Sequence, residues 1–203
     1  RKKNEYADVV ICGFQNEGIG RWDLLLHQFN HIDSNSWLMK ESFSQADGIN
    51  NHVRIIHTPN HTGFKGSEFI KKAIIELKNE GLKIDYLELT GVSNSQIKMS
   101  LLQSDILVEQ LIFTGYALSG IEGMASGLTV LSNLDSSLLT AVFRRYSFLD
   151  ECPIVSVTPE NIKDTLKVLI TQPKLCEELG RAGREYVEKY HSYKAAQYMF
   201  GAI

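Results

Sequence analysis

Short apolar runs alternate with amphipathic segments along most of this chain, from Asn51 to its C-terminal end. The runs are Val53 to His57, Ile84 to Leu89, Ile106 to Val108, Thr129 to Leu131 and Ile154 to Val157. Short, continuously apolar runs are typical of strands that are buried on both faces of a parallel sheet. Strands that alternate with helices indicate a parallel sheet covered by helices. The sequence therefore predicts an α/β fold with a Rossmann-like parallel sheet flanked by helices.

The segments between these runs carry signals of helices. Apolar residues from Phe69 to Leu77 recur at helical spacing, and Gly81 follows as a C-terminal stop. Thr158 followed by Pro159 predicts the start of another helix, and Ser192 is the candidate cap of the last one. In a sheet of this kind, ligands bind beyond the carboxyl ends of the strands, in loops that lead into helices. We therefore look for a functional site in those loops.

The composition argues against several classes of protein. Apolar residues make up 43% and charged residues 22% of the 203 residues, as in ordinary globular chains. With 21 Lys and Arg against 24 Asp and Glu, the net charge of -3 argues against nucleic acid as a partner. No apolar stretch approaches the roughly 20 residues that span a bilayer, and no signal-peptide pattern opens the chain, so we expect a cytoplasmic setting. The 3 cysteines show no CxxC spacing, so we predict neither a disulfide framework nor a metal site.

The first quarter of the chain differs in character from the rest. It mixes Asn, Ser, Gly and Asp with scattered aromatic residues, and it opens on Arg1-Lys2-Lys3 without a Met. We interpret the chain as cut from something longer. Residues 1–51 are then a remnant of a neighbouring domain with a linker, and residues 52–203 form one ligand-binding domain.

The loop after the run Val53 to His57 is the first candidate site. It reads HTPNHTGFKG at 57–66 and continues into a predicted helix at Ser67. A glycine turn next to a helix start favours an anion, because free backbone N–H groups and the helix dipole point at the same place. Lys65 would add a point charge for phosphate oxygens. A lysine in a surface loop is more often only solvated, so this loop alone leaves the question open.

The segment from Thr114 to Gly127 is the second candidate site. It follows the run Ile106 to Val108, and small residues are frequent just before and within its predicted short helix. Backbone amides there could approach a diphosphate closely, and Glu122 could accept hydrogen bonds from sugar hydroxyls. Alternatively, the small residues only allow tight packing of helix on sheet, and Glu122 only complements a helix N-terminus. The pattern by itself leaves both interpretations open.

The order of these motifs resembles a known family. A strand ending in HTP at 57–59 is followed by KG at 65–66, GYALSGIEGMASG at 115–127, LGRAGR at 179–184 and YHS at 190–192. From Val53 to Ile203 this resembles the C-terminal, donor-binding domain of retaining family 4 glycosyltransferases, which have the two-domain GT-B fold. The segment Ala7 to Trp37 then resembles the tail of their acceptor-binding N-terminal domain.

The resemblance implies roles for individual residues. Lys65 would neutralise the donor diphosphate and Glu122 would hold the ribose hydroxyls; these are the two catalytic assignments. The positions implied to bind the donor are Asn60, His61, Gly63, Gly91, Gly115, Tyr116, Ala117, Leu118 and Ser119.

The resemblance also implies a reaction and its partners. A hexosyl group would pass from a nucleotide diphosphosugar to a glycan or lipid acceptor, in cell-surface polysaccharide synthesis. Neither a cofactor nor a metal would be needed. Peripheral association with the inner face of a membrane, through the N-terminal domain, also stays open.

Some positions depart from the family pattern. The first of two glutamates that are usual in the family would fall at Thr114, and Ala117 stands where a glycine is typical. Asn60 replaces an arginine, for which His61 is the candidate substitute. These departures leave two alternatives: a non-catalytic nucleotide-sugar-binding or interaction module, or a nucleotide-sugar epimerase on the same fold. Because most of the acceptor domain is missing, we expect this chain alone to bind the donor weakly without turnover.

Overall fold

The computed structural model describes residues 10–12, 24–25, 30–146 and 148–201. A parallel pair joins β1 (Ile11–Cys12) to β2 (Leu24–Leu25). The main sheet consists of β3 (Val53–His57), β4 (Ile84–Glu88), β5 (Ile106–Gln110), β6 (Thr129–Ser132) and β7 (Val155–Ser156). The helices are α1 (Thr62–Lys65), α2 (Ser67–Asn79), α3 (Asn94–Leu102), α4 (Leu118–Ala125), α5 (Ser137–Tyr146), α6 (Ile162–Thr171), α7 (Pro173–Tyr190) and α8 (Tyr193–Phe200), with a 3₁₀ turn at Leu149–Glu151.

The main sheet is parallel throughout and has the strand order β4-β3-β5-β6-β7. Alternate residues of a strand point to opposite faces, and the sheet therefore has a core on each side. Ile55 and Val108 belong to the core that includes α2 and α6, whereas Ile56 and Leu107 belong to the core that includes α4 and α7. The predicted α/β, Rossmann-like fold is confirmed.

The ends of the helices follow local hydrogen bonding. Gly81 ends the turn after α2 with a φ of 95°, and the Ser192 hydroxyl caps α8 by accepting from the Ala195 amide at 3.1 Å. The predicted helix start at Thr158 is wrong, because α6 begins at Ile162. The Asn161 side chain accepts from the Thr158 amide at 2.8 Å and holds the preceding residues in a turn. Among the described residues, none of the helices combines the length and apolarity needed to cross a bilayer.

Residues 30–51 lie against the sheet domain, in part against α7. The Arg184 guanidinium donates to the carbonyls of Trp37 at 2.6 Å, Ala125 at 3.0 Å and Ser34 at 3.1 Å. The Ile32 amide donates to the His191 carbonyl at 2.8 Å. We call this contact region the 30–51 joint. Part of the predicted remnant thus packs on the sheet domain, while the boundary at residue 51 stays a prediction.

The strand order places a topological switch point between β3 and β5. From β3 the chain crosses to β4 on one side, and it then returns to β5 on the other side and continues outward. At such a point the two following loops lead away in opposite directions and leave a crevice at the carboxyl ends of the strands. The two loops are those before α1 and before α4, which are the candidate sites of the sequence.

Candidate functional site at the carboxyl edge of the sheet

Lys65 ends the single helical turn α1 and is buried. Gly66 follows with a φ of 71°, a left-handed conformation that turns the chain from α1 into α2. The Lys65 side chain is 10% exposed, and its Nζ donates to Gln110 Oε1 at 2.9 Å and to Glu109 Oε1 at 3.3 Å. The lysine is therefore held by the end of β5 and is not a solvated surface residue.

Glu109 is a buried carboxylate that was not among the predicted site residues. It is 2% exposed, and its Oε1 accepts from Lys65 Nζ at 3.3 Å, from the Ala117 amide at 2.8 Å and from the Ser119 hydroxyl at 3.0 Å. Burial raises the pKa of Glu109, while Lys65 and the other donors oppose the shift. A signal was present: the polar pair Glu109-Gln110 directly follows an apolar run, where a parallel sheet binds ligands.

The loop before α4 is fixed by the ends of β5 and β6. The Gly115 amide donates to the Asn133 carbonyl at 2.7 Å, and the Gly115 carbonyl accepts from Gln110 Nε2 at 2.9 Å and from the Ser132 hydroxyl at 2.6 Å. The Gly115 φ is 122°, which favours glycine. Of the amides predicted to line a diphosphate, those of Gly115 and Ala117 are thus already bound within the protein.

The first turn of α4 offers further amides. Ala117 is the N-cap, so Leu118 and Ser119 are the first two helical residues. Amides at these positions have no acceptor within their own helix, and the helix dipole adds positive potential there. They are the part of the predicted cradle that suits an anion from outside.

Tyr116 anchors the same loop in the core. Its side chain is buried, and its hydroxyl lies 2.8 Å from the Tyr186 hydroxyl and 3.1 Å from His191 Nε2. His191 Nδ1 donates to the Asn30 carbonyl at 2.9 Å, so Nε2 is the ring acceptor. Burial lowers the pKa of His191 to about 4. The Tyr116 side chain therefore joins the loop to α7 and to the 30–51 joint.

Glu122 lies in the second turn of α4 and is half-buried. Burial raises its pKa to about 7; Lys98 opposes the shift, and Glu109 adds to it by charge repulsion. Within the described part of the chain, its carboxylate makes no hydrogen bond. Glu122 is therefore a carboxylate whose acceptor oxygens are open to a ligand.

The remaining predicted positions lie in two loops. Asn60, His61 and Gly63 are exposed in the loop and turn that lead to Lys65, and the His61 carbonyl accepts from the Lys65 amide at 3.0 Å. Gly91 lies after β4, is exposed and has a φ of 67°. The first three share a loop with Lys65, whereas Gly91 follows the strand on the far side of β3.

His57 closes the base of the crevice and was also missed as a site residue. It is fully buried, its Nδ1 donates to the Val108 carbonyl at 2.7 Å, and its Nε2 accepts from the Ser67 hydroxyl at 2.8 Å. Burial lowers its pKa to about 4. A neutral His57 therefore ties β3 to β5 and to the start of α2. The described residues contain no group of three or more His, Cys, Asp and Glu side chains that could hold a metal ion.

Comparisons with known proteins give structural relatives only. No family model and no curated protein matches this chain. The C-terminal domain of LpcC, a glycosyl transferase group 1 family protein from Francisella tularensis, is 17% identical with a TM-score of 0.56, covering 79% of this chain and 98% of that domain. Sucrose-phosphate synthase from Thermosynechococcus elongatus is 15% identical with a TM-score of 0.66, covering 98% of this chain and 58% of the enzyme. A mutant of S. aureus TarM, in complex with fondaparinux, α-GlcNAc-glycerol and UDP, is 12% identical with a TM-score of 0.66, covering 100% of this chain and 46% of TarM.

These likenesses establish the fold. The chain spans 58% of the length of the synthase and 46% of that of TarM, but nearly all of the LpcC domain. The prediction that the chain has the fold of the C-terminal half of a GT-B glycosyltransferase is confirmed. The assignments of individual site residues stay predictions.

Proposed function

We propose that this chain is the nucleotide-sugar-binding domain of a retaining, family 4 glycosyltransferase. In the full protein it transfers a hexosyl group from a nucleotide diphosphosugar to a glycan or lipid acceptor, in cell-surface polysaccharide synthesis. The observation that carries the proposal is the convergence of Lys65, the first turn of α4 and the open carboxylate of Glu122 at the switch point of the sheet. The UDP in the S. aureus TarM complex supports a nucleotide diphosphate as the ligand.

The chemistry of the site suits a departing diphosphate. A lysine ammonium has three N–H groups, and two of those of Lys65 point to Glu109 and Gln110, so one remains for a phosphate oxygen. The amides of Leu118 and Ser119 add donors that are fixed before the ligand arrives. Preorganised donors of this kind stabilise charge that develops on a leaving group. Glu122 then accepts hydrogen bonds from the ribose hydroxyls, and the reaction proceeds without a metal or cofactor.

The acceptor binds to the N-terminal domain, which also provides any contact with the inner, cytoplasmic face of a membrane. The sugar is transferred in the cleft between the two domains. This chain alone therefore binds the donor weakly and does not turn it over. Detection of transfer by the chain by itself would contradict this part of the proposal.

The test is a calorimetric and thermal-shift titration with UDP, GDP, ADP and their common sugar conjugates. Ligand binding to the native state raises the apparent Tm by mass action. We expect one nucleotide diphosphate to bind, Lys65→Ala to abolish binding, and Lys72→Ala, which removes an exposed lysine of α2, to leave it unchanged. The absence of any nucleotide binding at millimolar concentration would contradict the proposal.

A non-catalytic binding module is the second candidate. It is favoured by the pairing of Lys65 with Glu109, by the engagement of the Ala117 amide, and by Thr114 where a second carboxylate would be needed. A full-length protein that binds a nucleotide sugar but yields no glycosylated acceptor would support this candidate. Product analysis of the same reaction would also reveal an epimerase, since the sugar nucleotide itself would change.

A further inference from the structure

A carboxylate of the protein itself, that of Glu109, lies at the N-terminus of α4. A helix N-terminus attracts a negative group through its free amides and its dipole. Glu109 Oε1 already accepts from the Ala117 amide at 2.8 Å and from the Ser119 hydroxyl at 3.0 Å. The same oxygen lies 3.3 Å from Lys65 Nζ. The inner side of the predicted anion cradle is thus occupied by a carboxylate.

The second oxygen of this carboxylate is buried without a partner. Among the described residues, Glu109 Oε2 makes no hydrogen bond. It faces Gly120 so closely that a Cβ at that position would overlap it. A buried, unsatisfied carboxylate oxygen is costly, which indicates that Glu109 does more than fill space.

Glu109 also changes the charge that a ligand meets. The ammonium of Lys65 and the carboxylate of Glu109 form a buried pair, with side chains that are 10% and 0% exposed. Their charges offset each other, so a diphosphate does not meet the full positive charge of Lys65. It is attracted mainly by the helix dipole and by the one remaining N–H of the ammonium. Removal of the carboxylate charge leaves that full charge in place.

We propose that Glu109 is a built-in anion of the donor site, which positions Lys65 and the first turn of α4 and limits how strongly the site binds a diphosphate. This inference rests on the proposed function. Glu109 is a positioning residue, since it acts on the ligand through Lys65 and α4. A free nucleoside diphosphate carries more negative charge than its sugar conjugate. The built-in anion therefore weakens binding of the product more than binding of the donor. This difference favours release of the product.

The first experiment compares the wild-type chain with Glu109→Gln. Glutamine keeps the size of the side chain and an oxygen acceptor but removes the charge. Titration with inorganic pyrophosphate, UDP, GDP and ADP is expected to show about tenfold tighter binding to the variant. The sugar conjugates are expected to gain less. Glu88→Gln is the matched control, because it removes a carboxylate that pairs with Lys71 at 2.9 Å on the neighbouring strand end; it is expected to leave pyrophosphate binding unchanged.

A second variant keeps the inference testable if Glu109→Gln does not fold. Glu109→Ala leaves a cavity between Lys65 and the first turn of α4, which an external carboxylate can enter. Sodium formate is expected to raise the Tm of Glu109→Ala, whereas formamide and sodium chloride are not. A merely structural side chain would be replaced equally well by the neutral formamide. Equal rescue by both compounds, or by neither, would overturn the inference.

The outcomes separate the inference from the proposed function. If the wild-type chain binds a nucleotide and Glu109→Gln binds pyrophosphate no more tightly, the inference fails and the function stands. If Glu109→Gln binds pyrophosphate more tightly but no nucleotide binds to either protein, Glu109 still limits anion binding, but the site is not a donor site and the proposed function fails. If neither protein binds pyrophosphate or a nucleotide, both fail.

Discussion

Two cations in this chain, the buried Lys65 and the partly buried Arg184, have different surroundings. Arg184, in the 30–51 joint, donates to three backbone carbonyls, and its Nε lies 2.7 Å from the exposed carboxylate of Glu188. Lys65, at the carboxyl edge of the sheet, binds two side chains, and one of these, Glu109, has an oxygen that no described residue contacts by a hydrogen bond. The arginine donates to carbonyl groups that a fold must satisfy in any case. The lysine is held by two buried side chains at the end of β5.

One of these cations binds mostly backbone carbonyls, and we propose that the other binds a ligand. Arg184 meets backbone carbonyls and one exposed carboxylate, so we expect its removal to lower stability and to leave binding unchanged. Lys65 instead meets a buried carboxylate at the switch point of the sheet, so we expect its removal to affect binding as well as stability. We therefore expect substitutions in the 30–51 joint to change stability alone, and substitutions at the carboxyl edge of the sheet to change nucleotide binding as well.

Of these variants, Lys65→Met is expected to lower the free energy of unfolding the most. It leaves Glu109 buried without its cation, and breaking such a pair costs about 3 to 5 kcal/mol. The double variant Lys65→Met/Glu109→Gln is expected to be more stable than Lys65→Met alone, because no uncompensated charge remains. Urea unfolding of the two variants measures this difference. Lys71→Met, which breaks a pair whose lysine side chain is 50% exposed, is the control, with an expected loss below about 1 kcal/mol. A double variant less stable than Lys65→Met would contradict the pairing.

Arg184→Met is expected to cost about 3 kcal/mol in the free energy of unfolding, because three partly buried carbonyls lose a charged donor. Nucleotide affinity, measured at a temperature where the variant is folded, is expected to stay unchanged. The control is Arg181→Met on the same helix, whose side chain is 58% exposed and pairs with Glu177. A loss of nucleotide affinity in Arg184→Met would break the comparison, since the structural cation would then also serve binding.

The fold was predictable because burial on both faces requires apolar strands. Val53 to His57 is β3 without any change of boundary, and the other predicted strands overlap β4 to β7. In the edge strand β4 only the first residue is buried. The helix start at Thr158 failed because the Asn161 side chain binds the Thr158 amide, and residues 158–161 form a turn before α6 begins.

The sequence predicted the position of the candidate site in the fold. It did not predict which of its side chains pair with each other. The loops that contain Lys65 and Gly115 were identified because parallel sheets bind ligands at the ends of their strands. The pairing of Lys65 with Glu109 depends on β3 and β5 being neighbours, which the strand order determines and a residue pattern does not. The direction of the Tyr116 side chain depends in the same way on the packing of α4 against α7.

The 30–51 joint is expected to lose stability in acid through His191. Its pKa is about 4 in the folded protein, against an ordinary value of about 6.5 in the unfolded chain. The unfolded state therefore takes up a proton first as the pH falls, so stability is full above pH 6.5 and is lost on the way down to pH 4. By pH 5 the loss is about 2 kcal/mol. His191→Gln should reduce the drop between pH 7.5 and 5 by about this amount, and His52→Gln, an exposed control, should not. An unchanged drop in His191→Gln would rule out this source of acid sensitivity.

At the carboxyl edge of the sheet, Glu122 should instead make binding depend on pH. Its pKa is about 7, and only the ionised carboxylate accepts two strong hydrogen bonds from ribose hydroxyls. Affinity for the sugar nucleotide is therefore expected to rise about fivefold between pH 6 and pH 8, in calorimetric titrations. The sugar conjugate is the right probe, because a terminal phosphate itself titrates at a pH of about 6.

Glu122→Gln should bind about tenfold more weakly at pH 8 and lose the pH dependence, since an amide cannot ionise. Glu177→Gln, on the surface of α7, should behave as the wild-type chain does. A wild-type profile that is flat, or that falls with pH, would mean that Glu122 does not touch the ligand in its ionised form, and the open carboxylate of α4 would then need another explanation.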